Sequence, residues 1–104
     1  MTEQKENKIQ EMQMIEQNLQ SLLYQKQAFQ MELSETQSAI REIEKSGEEV
    51  FKIIGQLMIR TNKEDVKEEL KNKEKLLDLR TKSIEKQETS LAEKVEELRK
   101  EVMK

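Results

Sequence analysis

The sequence contains no cysteine, no histidine, no proline and no tryptophan, and it has only two glycines and three aromatic residues. Without cysteine and histidine, the chain has no disulfide, no thiolate nucleophile and no nitrogen or sulfur ligand for a metal. The commonest general base of enzymes is also missing. Two isolated glycines supply no glycine-rich loop for a phosphate group. We therefore expect neither an enzyme nor a bound cofactor.

Long apolar runs are absent as well. No stretch reaches the roughly 18 apolar residues that a membrane-spanning helix needs. The first residues, Met1–Lys5, lack the apolar core of a secretion signal. We therefore expect a cytoplasmic protein that does not contact a membrane.

The composition favours helices over one round core. Of the 104 residues, 39% are charged and only 34% are hydrophobic, against about 25% and about 45–50% in ordinary domains. The net charge is −3, and acidic and basic residues alternate along the chain, so no basic stretch could neutralise a row of phosphates. The length allows one domain at most, residues 1–104, and nucleic acid is not an expected partner.

A heptad pattern predicts a first helix within residues 1–46. Steps of three and four residues connect ten positions, eight of them apolar, which is typical of a coiled-coil seam. Gly47 follows the last of them, so we expect the helix to end there with a left-handed residue. The ten seam positions are Met12, Ile15, Leu19, Leu22, Lys26, Phe29, Leu33, Thr36, Ile40 and Ile43.

A second helix is predicted for residues 63–104. Its apolar residues recur every seven positions, at Leu70, Leu77, Ile84, Leu91 and Leu98. A second row, three or four residues further along, is mostly polar. The helix start has two possible capping pairs, Asn62 with Asp65 or Thr61 with Glu64.

The segment between the helices, residues 47–62, has the pattern of two strands around Gly55 and Gln56. A two-residue turn would place Phe51 and Arg60 on one face and Lys52 on the other. A three-residue loop would place Lys52 and Arg60 together and leave a clean apolar face. We expect the three-residue loop.

These elements predict a mainly α fold, an antiparallel two-helix coiled coil with a β-hairpin between the helices. One register serves the whole length, because it pairs Met12 with Leu98 and Leu19 with Leu91, and likewise the other seam residues. It places Lys26 opposite Ile84, where a polar residue would fix the register at a cost in stability.

The hairpin is the expected oligomerisation element, because an isolated two-stranded hairpin with open apolar edges is marginal in water. Several hairpins could close into a β-barrel, although a homodimeric sheet or a mixed assembly would meet the same need. The residues expected to form this interface are Val50, Phe51, Ile53, Ile54, Gly55, Leu57, Met58 and Ile59.

Residues 50–60, VFKIIGQLMIR, closely resemble the hairpin of β-type prefoldin subunits, in particular the archaeal form. The family pattern is roughly Val-Tyr-Lys-Leu-Val-Gly-x-Leu-Leu-Ile-Lys, and Phe51 stands here in place of the usual tyrosine. Segments of both helices, such as Glu32–Gln37 and Ile84–Glu88, are also similar, so the resemblance extends over nearly the whole chain.

The resemblance implies an ATP-independent holding chaperone. It implies a hexamer of two α-type and four β-type subunits, in which hairpins build β-barrels and coiled-coil tips capture unfolded polypeptides for a group II chaperonin. A structural coiled-coil tether without chaperone activity is the alternative.

Apolar residues near the two helix ends are our candidates for client binding, because fraying helix ends and flexible methionines suit varied apolar partners. Some of them could equally continue the seam, whereas Ile9, Met14 and Met103 fit the seam poorly and should be exposed. We name the whole set the tip residues: Ile9, Met12, Met14, Ile15, Val95, Leu98, Val102 and Met103.

Overall fold

The computed structural model describes residues 2–104, which form two long helices and one two-stranded antiparallel sheet. Helix α1 spans Thr2–Lys45, strands β1 and β2 span Glu49–Ile54 and Leu57–Asn62, and helix α2 spans Lys63–Val102. The predicted order of helix, hairpin and helix is confirmed.

The chain divides into two units. The terminal unit comprises the chain up to Ala28 together with Thr81–Lys104, and the hairpin unit comprises Phe29–Arg80. Both helices contribute to both units, and the hairpin belongs wholly to the second.

In the terminal unit, the core is the predicted seam between α1 and α2. Ile15, Val95 and Leu98 are buried together. Three partly buried residues pack against them, so both members of two predicted pairs, Met12 with Leu98 and Leu19 with Leu91, belong to one cluster. The second buried row of α2 stands four residues after the first, which explains why Val95 is inside.

In the hairpin unit, Leu77 is the most buried seam residue, and Ile43 and Thr36 are also buried. The Thr36 hydroxyl donates a 2.8 Å hydrogen bond to the carbonyl of Glu32, so this buried polar group is satisfied within its own helix. The guanidinium of Arg80 lies 5.9 Å from the ring centre of Phe29, within cation–π range.

The end of α1 is capped by side chains, not by a left-handed glycine. The hydroxyl of Ser46 donates to the carbonyl of Ile43 at 2.8 Å, and the Lys63 ammonium donates to the carbonyls of Glu44 and Ser46 at 3.2 and 3.1 Å. A cation suits the negative end of a helix dipole. The expected left-handed Gly47 is wrong, because these bonds already occupy the final carbonyls and positive φ occurs at Gly55 instead.

The start of α2 uses the first of the two predicted caps. The backbone N–H of Asp65 donates to the Asn62 side-chain oxygen at 2.8 Å, and the Asn62 amide donates back to the Asp65 carboxylate at 2.8 Å. This arrangement satisfies an N-terminal N–H of the helix and places a carboxylate at its positive end.

The hairpin turn contains two residues, so the expected three-residue loop is wrong. Ile54 pairs with Leu57, Lys52 with Ile59 and Phe51 with Arg60. Gly55 has φ of +60° and Gln56 has no positive φ, the pattern of a type II′ turn. Such a turn matches the twist of the strands, and glycine adopts its first central position without steric cost.

No helix within residues 2–104 is both long and apolar enough to cross a membrane.

Candidate functional site

The two faces of the hairpin differ in their surroundings. Val50, Lys52 and Thr61 are half-buried on the face that looks toward the helices of the hairpin unit, and the Lys52 ammonium donates to both Glu69 oxygens at 2.8 and 2.6 Å. The opposite face is open, and there Arg60 forms a 2.9 Å ion pair with Glu49. These partners explain the observed register, because each charge finds a partner on its own face.

Apolar side chains are exposed on both faces of the hairpin. Their exposed fractions run from 42% at Ile59 to 72% at Ile53. Six neighbouring apolar residues exposed on one small sheet are unusual for a soluble surface and indicate a binding site. They are Phe51, Ile53, Ile54, Leu57, Met58 and Ile59.

Both hairpin edges also carry free backbone groups. In a type II′ turn the carbonyl of Ile54 accepts from the N–H of Leu57, and hydrogen-bonded pairs then alternate along an antiparallel ladder. The bond from the Lys63 N–H to the Glu48 carbonyl, 3.1 Å long, continues this alternation. The outward-pointing groups therefore belong to alternate residues, Glu49, Phe51 and Ile53 on β1 and Met58, Arg60 and Asn62 on β2.

The helix ends of the terminal unit form the second candidate site. The expected exposure of Ile9, Met14 and Met103 is observed, with exposed fractions of 41%, 65% and 79%. Ion pairs connect the two helix ends, Lys8 with Glu101 at 3.1 Å and Lys94 with Glu11 at 3.2 Å.

The remaining tip residues lie within the seam. Ile15, Val95 and Leu98 are buried, and Met12 and Val102 are partly buried. A client could reach the three buried side chains only if the helix ends separate, which terminal turns do at low cost in free energy.

Lys26 has a partner that the sequence pattern did not reveal. Its ammonium lies 2.8 Å from a carboxylate oxygen of Glu88, and both side chains are about four-fifths buried. Glu88 stands one helical turn beyond Ile84, the residue predicted to face Lys26. A polar pair inside an apolar seam favours one register over its neighbours.

A further ion pair joins the two helices of the hairpin unit next to the hairpin. The ammonium of Lys67 lies 2.8 Å from the Glu44 carboxylate. The hydrogen bond from Lys67 holds the pKa of Glu44 below its ordinary value, and the same bond raises the pKa of Lys67. The pair joins the last turn of α1 to the first turns of α2.

Several exposed apolar residues lie outside both candidate sites, and sequence reasoning assigned them no role in binding. They are Leu23, Tyr24, Met31, Leu76 and Leu79. Within residues 2–104, no group of three or more acidic side chains is placed to hold a metal ion.

A comparison with known proteins identifies the family to which this architecture belongs. The family model described as prefoldin subunit matches residues 6–104. The chain belongs to the prefoldin family.

Relatives of this prefoldin chain include archaeal proteins. A prefoldin subunit beta of Thermococcus onnurineus is 40% identical over 89 residues, covering 84% of this chain and 77% of the relative. A prefoldin subunit beta of Pyrobaculum islandicum is 36% identical over 92 residues, covering 86% and 74%.

A crystal structure shares the fold. The prefoldin beta subunit from Thermococcus strain KS-1 matches with a TM-score of 0.89 and 35% identity, covering 95% of this prefoldin chain and 89% of the other. The predicted resemblance to β-type prefoldin is confirmed.

Proposed function

We propose that this chain is a subunit of an ATP-independent holding chaperone that captures unfolded polypeptides at the tip residues. The observation that carries the proposal is the exposure of Ile9, Met14 and Met103 near the ends of two highly charged helices. Methionine suits this role because its flexible, polarisable side chain adapts to many apolar partners.

Capture needs several subunits. One tip offers few apolar contacts, so a single contact is weak. Several tips on one client raise the effective concentration for each later contact, and affinity rises without any new type of contact. The exposed hairpin provides the means of association, and the proposed assembly is a hexamer of two α-type and four β-type subunits.

Delivery to a group II chaperonin completes the proposed function, and family membership supports it. A fluorescent client bound to the assembled oligomer should move to the chaperonin fraction in size-exclusion chromatography when chaperonin is added. Client that stays with the oligomer would leave a holding function without delivery.

The decisive experiment uses exposed residues that do not support the fold. A triple variant, Ile9→Ser, Met14→Ser and Met103→Ser, is assembled with an α-type subunit and tested for suppression of aggregation of a chemically unfolded protein without ATP. We expect at least about tenfold more oligomer to be needed, because each lost apolar contact recurs on every tip.

A matched control replaces equally exposed apolar residues elsewhere, Leu23→Ser, Met31→Ser and Leu79→Ser. It should suppress aggregation as the unchanged chain does. If both triple variants behave alike while native mass spectrometry shows intact oligomers, tip capture is wrong.

The tether remains a second candidate, and the buried cluster of Ile15, Val95 and Leu98 favours it. A tether needs a seam that is packed close to the helix ends, as this cluster is. It predicts that even the unchanged oligomer leaves aggregation of the unfolded protein unaffected.

A further inference from the structure

An apolar groove of about 460 Å³ opens beside the hairpin, within the hairpin unit. Its helical wall is formed by Ala39 and Ile43 of α1 and by Val66 and Leu70 of α2, and the polar residues Glu42 and Ser46 also line it. The strand residues that line it come from β1, between Val50 and Ile53. The groove therefore lies between strand β1 and the parts of α1 and α2 that are next to the hairpin.

The β1 edge limits what can fill the groove. Glu49, Phe51 and Ile53 direct their free backbone groups outward there, so an extended segment can add to this edge as a further strand. Alternate side chains of the added strand point to the helix-facing side of the sheet. Those side chains would lie over the groove, and an apolar groove accepts an aliphatic one.

The outer edge of β2 in a second copy of this chain has the required features. Its free backbone groups belong to Met58, Arg60 and Asn62, three residues that match the three on β1. Antiparallel pairing of all three places Phe51 opposite Arg60 of the second copy. Shifting the register by two residues would lose one of these pairings.

This pairing determines which side chain enters the groove. With Phe51 opposite Arg60 of the second copy, Lys52 stands opposite Ile59 of that copy, on the helix-facing side. Ile59 is aliphatic and 42% exposed in the single chain. Burying it in the groove would remove apolar surface from water in both copies.

Charge favours the same arrangement over pairing of two β1 edges. On the open face, Glu49 would stand diagonally next to Arg60 of the second copy, and opposite charges on neighbouring strands attract. Two paired β1 edges would offer Glu49 no arginine, because β1 contains none.

The geometry points to a side-chain socket: the groove formed by Ala39, Ile43, Val66 and Leu70 receives Ile59 from the β2 strand of a second copy of this chain. The inference deepens the assembly step of the proposed function and rests on it. It means that the helix residues lining the groove, and not the hairpin alone, determine which strand can associate.

Changing the sizes of the side chains at Ala39, in the groove, and at Ile59, which enters it, tests the socket. Ala39→Trp fills the groove and should weaken self-association by about tenfold or more, as overpacked interfaces do. Ile59→Ala removes the inserted side chain, which is exposed in the single chain, so this variant should fold normally and also associate less tightly. Native mass spectrometry of the chain alone across a concentration series measures both effects.

The double variant Ala39→Trp with Ile59→Ala is the specific test, because the smaller side chain leaves room for the indole. We expect the double variant to recover much of the association that Ala39→Trp loses. The control Ala28→Trp, at an exposed alanine of α1, should associate as the unchanged chain does, and circular dichroism checks that every variant is helical.

Three results would overturn the socket. They are unchanged association of Ala39→Trp, no recovery in the double variant, and a chain that stays monomeric alone while Ala39→Trp blocks only its association with an α-type subunit. Loss of aggregation suppression with normal association would instead contradict the proposed capture of clients and leave the socket intact.

Discussion

The hairpin and the helix ends both expose apolar side chains, but their backbones differ. In the hairpin, alternate residues of each strand direct free N–H and carbonyl groups outward, next to side chains such as Ile53. At the helix ends, the groups next to Met14 are bonded within α1, so only side chains are available to a partner.

This difference indicates two kinds of recognition. A strand edge demands a partner in extended conformation and in register, because hydrogen bonds are directional. An apolar helix surface makes no such demand and accepts many sequences. The hairpin is therefore suited to one permanent partner surface, and the helix ends are suited to varied, transient ones.

The largest effect should come from placing the same charge in each region. Ile53→Asp should abolish assembly, because a strand interface would bury an unpaired carboxylate, which costs several kcal/mol. Met14→Asp should leave assembly intact and weaken only client holding. Native mass spectrometry and the aggregation assay separate the two outcomes.

If the Ile53→Asp variant still forms intact oligomers, the hairpin is not the assembly interface. The proposed difference in function between the hairpin and the helix ends would then be wrong. The helical content of each variant, measured by circular dichroism, confirms that the chain itself still folds.

A smaller effect should follow from the turn that holds the hairpin in shape. At Gly55, φ of +60° disfavours any side chain, so Gly55→Ala should cost about 1–3 kcal/mol of hairpin stability. Gly47→Ala is the matched control, because a Cβ meets no atom within 4 Å at either glycine and only Gly55 has positive φ. Thermal unfolding of both variants measures the difference, and equal midpoints would contradict the assigned turn.

The regular elements were predictable because their determinants are local or periodic. The seven-residue spacing of Leu70, Leu77 and Ile84 predicted α2, and the observed cap, Asn62 with Asp65, is one of the two capping pairs that the sequence offered. Successive residues of the spacing are about two helical turns apart, and the capping pair lies within one turn, so both can be recognised without knowledge of the tertiary structure.

The errors arose where a distant partner decides the outcome. The three-residue loop was preferred because it gathered Lys52 and Arg60 on one face. The structure leaves them on opposite faces, since Lys52 bonds Glu69 of α2 and Arg60 bonds Glu49 across the ladder.

Likewise, Gly47 suggested a glycine cap because its neighbours in sequence gave no sign of the Lys63 ammonium. The exposure of Ile9, Met14 and Met103 was predicted from their poor fit to the seam. Whether the tip residues bind clients stays a prediction.

The smallest effect should be a pH dependence of the stability that the Glu44–Lys67 pair contributes. The hydrogen bond from Lys67 lowers the pKa of Glu44, so its stabilising effect is present above the ordinary carboxyl pKa and is lost as pH falls through the lowered value. The difference in urea midpoint between the unchanged chain and Glu44→Gln should therefore shrink between neutral pH and pH about 3. The control is Glu42→Gln, since Glu42 lies 3.8 Å from Lys45 within the same exposed turn of α1. An equal shrinkage in both variants would show that general acid destabilisation, and not the bond between α1 and α2, is responsible.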